Sequence, residues 1–414
     1  MVMTPILNHR PLFLSLFLPL FFLSVFVCAP AIAAEGNLVE SRTVESSYED
    51  PLKGRAVFAE KGCIRCHSVL GEGGTLGPDL TWLGKGRNIY ELIGLFWSHS
   101  SKMIEMMKEK KAPYPTFSPA EMESLLTYLY ALSYFDEAGD YSEGERLFHD
   151  KGCIKCHSVG DRGGSIAPAL DGYANLVSPA YLTQAVWNHG AKMATKMAEL
   201  NVERPKLRSN EIAHLIAYIQ GAAVGVPEFQ IALSPGDPKR GEVLFKEKGC
   251  SQCHLKTGEG QILGPDLSHG EVEGMSVGEI TERLWNHGLK MWSKMKELNI
   301  PISTFDGQEM ADLIAYVHFL SYTGGRGNPG KGREIFAAKG CVVCHATDGK
   351  KRIGPDLLRS NAAESPGTIA ASMWNHAPLM KEAMAEAALE WPRFERSEMQ
   401  DLIAYLRLVR EDSD

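Results

Sequence analysis

Four short stretches of the chain carry residues whose types and spacing point to chemistry. They are Cys63-Ile64-Arg65-Cys66-His67, Cys153-Ile154-Lys155-Cys156-His157, Cys250-Ser251-Gln252-Cys253-His254 and Cys341-Val342-Val343-Cys344-His345. Two thiols three residues apart can form thioethers to the two vinyl groups on one edge of a haem, while the histidine that follows turns beneath the ring to bind iron. A lone Cys-x-x-Cys also suits half a zinc site or a redox disulfide. Four copies in one sequence frame use every cysteine after residue 34, which weighs against both alternatives. The expectation is four covalently bound haems, with His67, His157, His254 and His345 as iron ligands.

Each iron needs a second axial ligand, or else stays open. A Trp-x-His-x-x-x-Met-x-x-x-Met element follows every haem motif and supplies three candidates: His99, Met103 and Met107; His189, Met193 and Met197; His287, Met291 and Met295; His376, Met380 and Met384. Spacings of four place all three on one helical face. A methionine stripe is ordinarily core packing, but no other His or Met recurs in register there. Histidine would give bis-histidine haems of low potential, whereas methionine raises the potential.

These motifs sit in a fourfold internal repeat, which decides the architecture. Gly54, Gly144, Gly241 and Gly332 are each followed four residues later by Phe58, Phe148, Phe245 and Phe336, and nine residues later by the first cysteine. A Pro-x-Leu element, the Trp-His-Met-Met element and a closing Glu-Leu-Tyr element come next, always in that order. The period between first cysteines is 90, 97 and 91 residues, right for a small domain rather than a solenoid unit. The domains are read as 48–136, 138–222, 236–323 and 327–414. Within each, apolar spacing predicts helices, as in Glu309 to Val317, with Ser118, Ser209 and Ser397 as helix N-caps and glycine-rich stretches such as Gly71-Glu72-Gly73-Gly74 as loops. The longest joint, Gly221 to Asp237, contains Pro227 and Pro235 and suggests two plus two domains, paired with their sequence neighbours.

At 414 residues, 44% hydrophobic and 23% charged, the composition is that of a globular protein. Residues 1–34 depart from it. Arg10 precedes an apolar run from Pro11 to Cys28 and then small residues to Ala34, which reads as a secretory signal peptide cleaved after Ala33 or one residue later. An uncleaved membrane anchor is the alternative. Phe26 and Val27 stand where lipidation of Cys28 would need small residues. Removal of Arg10 leaves 42 basic against 51 acidic side chains, a net charge of −9 that argues against nucleic acid or anionic lipid as partner.

Taken together, the ordered motifs resemble class I cytochrome c, from about residue 50 to the C-terminus. The resemblance implies an all-α fold of four tandem class I cytochrome c-like domains behind the signal peptide. It implies that Gly54 and Phe58 cross the helix bearing Tyr128. It also implies that the carbonyls of Pro78, Pro168, Pro265 and Pro355 accept a hydrogen bond from the ligand histidine, although repeat two has Ala167-Pro168-Ala169-Leu170 where the others have Gly-Pro-Asp-Leu. Class I domains take their sixth ligand from just before the final helix, and Pro113, Pro205, Pro301 and Pro392 soon follow the second methionine, so Met107, Met197, Met295 and Met384 are preferred. The usual Met-Pro pair is absent.

Trp97, Trp187, Trp285 and Trp374 are read as apolar walls against the porphyrin, with electron relay as the alternative. His149, His214, His269 and His318 do not recur in register and are read as surface or partly buried. Lys350-Lys351-Arg352 is read as a solvated loop, the alternative being steering of an acidic partner. With both axial positions filled, an iron can only change oxidation state. The expected function is an electron carrier in the periplasm or at the cell surface, serving redox proteins or respiratory complexes. The alternatives are a haem enzyme with one open iron, or a haem-bearing subunit of a larger assembly.

Overall fold

Among the described residues of the computed structural model, twelve of the thirteen α-helices fall into four sets of three, each set beginning with a short helix that its sequence caps well. The structure describes residues 50–174, 178–208, 210–224, 236–254, 263–268, 272–346, 348, 352–357 and 361–411. The signal segment, Pro227, Pro235, Ser209, His269 and Lys350-Lys351 lie outside them. In repeat one, α1 (Pro51–Glu60) has Asp50 as N-cap and proline in its first turn. The long α2 (Ile89–Glu109) is capped by Asn88, and α3 (Pro119–Ala131) opens with a capping box between Ser118 and Glu121. The same trio recurs as α4 (Tyr141–Asp150), α5 (Pro179–Glu199) and α6 (Glu211–Ala222), then as α7 (Pro238–Glu247), α8 (Val277–Glu297) and α9 (Gly307–Leu320). In repeat four, α10 (Pro329–Ala338) precedes a one-turn α11 (Cys341–Cys344), then α12 (Pro366–Glu386) and α13 (Glu398–Glu411).

First and last helices cross closely in every repeat. A Cβ on Gly54 would run into the carbonyl oxygen of Ser124 and the Cβ of Tyr128, and Gly144, Gly241 and Gly332 meet the backbone at His214, Asp312 and Asp401 in the same way. The ring of Phe58 lies 5.9 Å from that of Tyr128, and its counterparts pair with Tyr218, Tyr316 and Tyr405 at 5.3, 5.3 and 5.8 Å. The crossing expected for Gly54 and Phe58 is therefore present four times. One detail differs: part of the Gly71 to Gly74 loop is a two-residue hairpin, Ser68–Val69 against Glu72–Gly73, and repeat two has the equivalent.

The repeats pair two and two, but not with their sequence neighbours. Helix α12 of repeat four packs on α2 and α3 of repeat one, and α5 of repeat two packs on α8 and α9 of repeat three. Repeats one and four share one hydrophobic core, from Phe58 and Met122 through Phe336 and Met399. Repeat one also meets repeat three: Ile89 N–H donates to the carbonyl of Tyr322 at 2.8 Å, and the Tyr130 hydroxyl to that of His318 at 2.8 Å. A single compact unit takes in every described residue.

Candidate haem sites

Each haem motif hangs on a glycine and a lysine at the end of the first helix. Gly62, Gly152, Gly249 and Gly340 stand directly before the first cysteine with φ between 75° and 85°, a conformation that glycine takes without strain. The preceding lysine reaches back to the loop that leads into the last helix. Lys61 donates to the Thr116 carbonyl and pairs with Glu121, both at 2.8 Å, and Lys151 does so with Lys206 at 2.7 Å and Glu211 at 2.8 Å. Lys248 and Lys339 repeat the arrangement with Thr304 and Glu309, and with Arg393 and Glu398. This Lys-Gly-Cys register was missed at the level of sequence, although the self-comparison that found the glycines contains it.

The motif histidines are held as iron ligands need to be. Nδ1 of His67, His157 and His254 lies 2.9 Å from the carbonyls of Pro78, Pro168 and Pro265, and that of His345 lies 3.1 Å from Pro355. A carbonyl only accepts, so Nδ1 carries the proton and Nε2 keeps its lone pair for metal. The imidazole lies close against the residue before the proline: a Cβ on Gly264 would fall 2.5 Å from the ring of His254, and one on Gly354 2.8 Å from that of His345. Repeat two keeps the same bond despite Ala167 at this place.

The eight cysteines are half-buried, and among the described residues none is joined in a disulfide. Burial pushes the thiols of Cys63, Cys153, Cys250 and Cys341 up to about 11. Two thiols and a fixed Nε2 fit a covalently held haem, which supplies one-electron redox chemistry when bound.

The sixth-ligand candidates occupy equivalent places in all four repeats. His99, His189, His287 and His376 are exposed, and their Nδ1 atoms turn back to carbonyls of their own helices, at Leu95, Ala185, Arg283 and Ser372. Both methionines of every repeat are half-buried. The second sits two residues before the last residue of the long helix, where its carbonyl accepts from Ala112, Val202, Ile300 or Leu389 N–H at 2.8–2.9 Å. Lys111, Asn201, Asn299 and Ala388 provide the left-handed residue that closes this Schellman turn.

The tryptophans sit at contacts between repeats. The indole N–H of Trp374 donates to the Pro115 carbonyl of repeat one, Trp285 to Pro205 of repeat two and Trp187 to Ser303 of repeat three, each at 2.7 Å. Trp97 instead stacks on Trp391 at 4.3 Å, and its carbonyl accepts from that indole at 3.1 Å. The next residue completes a two-point latch. Asn375 pairs with the backbone N–H and C=O of Phe117 at 2.9 and 2.8 Å, and Asn286 with Leu207 and Asn188 with Phe305 likewise; in repeat one Ser98 accepts from Phe394 N–H. The element thus joins repeats as well as lining a helix face, and the repeated asparagine was the signal for it.

One reading changes. His318 is buried completely at the junction of repeats one and three, against Tyr130 and Tyr134, with Nδ1 2.8 Å from the Met275 carbonyl. Burial lowers its pKa to about 4, against the pull of the Met275 and Tyr130 carbonyls. Arg352 is exposed, as a solvated loop implies, and its guanidinium donates to the Val342 carbonyl beside the fourth motif. His149 is exposed, and His214 accepts from Asp140 N–H at 2.8 Å.

Comparison with known proteins agrees with this geometry. A curated relative named cytochrome c, from Cochliobolus lunatus, is 42% identical over 62 residues, 13% of this chain and 56% of the relative. The match thus spans little more than half the length of that relative. No solved structure matches. The sequence model of the family described as cytochrome c matches four times, over residues 52–133, 141–223, 238–321 and 330–409. With a matched domain around every Cys-x-x-Cys-His and its proline-tethered histidine, the chain belongs to the cytochrome c family.

Proposed function

We propose that this protein is a tetrahaem electron carrier of the periplasm or cell surface, passing single electrons between redox proteins or respiratory complexes. The observation that carries the reading is the fourfold identity of the site: the same cysteine pair, the same proline-bound histidine and the same half-buried methionines in every repeat. An enzyme would be expected to set one site apart. The apolar N-terminal segment supports export, and an uncleaved anchor there would be the one link to a membrane. Among the described residues no helix is long and apolar enough to cross a bilayer.

In this reading the second axial ligands are Met107, Met197, Met295 and Met384. Their support is the shared position at the last turn of each long helix, before the loop that the Lys-Gly-Cys lysine pins. The test is a visible-to-near-infrared spectrum of the oxidised holoprotein. A sulfur-to-iron charge-transfer band is expected, reduced by a quarter in Met107→Ala; a low-spin spectrum without the band would overturn the assignment. Carbon monoxide binding by the reduced protein would overturn the carrier reading.

A further inference from the structure

We propose that the four redox centres communicate in the spatial order four, one, three, two, with repeats one and four forming one redox pair, two and three the other, and repeats one and three the bridge. The proposal rests on the electron-carrier reading and deepens it.

The latches carry the argument, because they are reciprocal. Repeat four reaches repeat one through Trp374 and Asn375, and repeat one reaches repeat four through Ser98 and the Trp97 carbonyl. Repeats two and three exchange Trp187 and Asn188 for Trp285 and Asn286 in the same way. These residues lie directly before the His-Met-Met face in each long helix, so a latch brings the haem-facing helices of two repeats together. In the first pair, Cys63, Cys341, Met103, Met107 and Met380 all pack against one continuous core. Aromatic rings fill the space between, with Trp374 stacked on Phe96 at 4.7 Å and on Tyr114 at 4.8 Å.

The bridge is a different surface. There Tyr130 meets His318, Tyr322 meets Thr127 at 3.0 Å and Glu123 at 3.2 Å, and Asp136 accepts from Gly278 N–H at 2.7 Å. It is built from the last helix of repeat one, its extension and the start of α2 at Ile89, away from the Trp-His-Met-Met element. Each step moves one electron from a reduced to an oxidised centre, with no bond made or broken. The electron enters from a one-electron donor protein and leaves to a one-electron acceptor protein.

The experiment is nuclear magnetic resonance exchange spectroscopy on the partly reduced holoprotein, with each haem assigned from contacts to the residues beside its motif. The strongest exchange is expected between haems one and four and between two and three, with a weaker connection between one and three. Asn375→Ala should cause loss of the one-to-four exchange and leave two-to-three intact, while Asn286→Ala should do the reverse. Ser98→Ala, which removes a single hydrogen bond between the repeats, serves if Asn375→Ala does not fold. Strongest exchange between one and two and between three and four, equal exchange among all four, or exchange indifferent to the latch variants would overturn the order. A failed carrier reading shows separately, as carbon monoxide binding or as haems that a chemical reductant does not reduce.

Discussion

Acidification should weaken the junction of repeats one and three through one side chain, His318. In the unfolded chain its pKa is near 6.5, and in the fold burial lowers it to about 4. Between those values the unfolded state binds a proton that the folded state refuses, so stability rises with pH across that window and is lost as pH falls through it. At 1.36 kcal/mol per pH unit, the loss is about 3 kcal/mol on going from pH 7 to 4, levelling off below. Asp136, Glu91 and Glu282 work in the opposite direction, because burial raises their carboxyl pKa values and the fold takes up their protons first. The assay is therefore a difference measurement: urea unfolding of the holoprotein and of His318→Leu at several pH values between 7 and 4. The variant lacks a donor for the Met275 carbonyl at every pH, so it should be less stable at pH 7 and should lose that deficit by pH 4. Parallel stability curves for the two proteins would refute the assignment.

Asn286→Ala removes two hydrogen bonds to Leu207 and leaves a part-buried N–H and C=O unpaired, so unfolding by urea should show a loss of about 2–4 kcal/mol. Gly241→Ala places a methyl 2.7 Å from the Cβ of Tyr316 and against the Asp312 carbonyl; forcing α7 from α9 should cost about 1–3 kcal/mol in thermal unfolding, with haem attachment in the other three repeats retained. Lys151→Met strips the Lys206 carbonyl and Glu211 of their shared partner. A destabilisation of about 1–2 kcal/mol that added salt barely changes is the expected outcome, because the pair is largely shielded from solvent.

Much of a single repeat was legible in the sequence, because its contacts depend on side-chain identity. Gly54 and Phe58 announce a helix crossing, since only glycine admits the backbone of α3 so closely. The carbonyl of Pro78 was implied by the resemblance to class I cytochrome c, and His67 is found on it. The pairing of repeats was not legible, because the latch residues grip backbone. Asn375 bonds the N–H and C=O of Phe117, and Asn286 those of Leu207, groups that every loop offers; nothing in Trp-Asn-His says which loop it will find. His318 escaped for a different reason. It stands alone in the repeat comparison, and what buries it is Tyr130 and Tyr134, nearly 190 residues earlier.

The crossed pairing also sets an order of assembly. The contact of Asn286 with Leu207 spans 79 residues, whereas that of Asn375 with Phe117 spans 258. As the chain lengthens from its N-terminus, repeats two and three can close on each other while repeat one still waits for a partner that is made last. Assembly is nested, with the inner pair completed before the outer. Long-range closure of this kind slows folding. Until repeat four arrives, the face of repeat one around Phe96, Trp97, Tyr114 and Phe117 is bare, and a chain cut short at residue 323 would leave that aromatic surface free to associate with other copies.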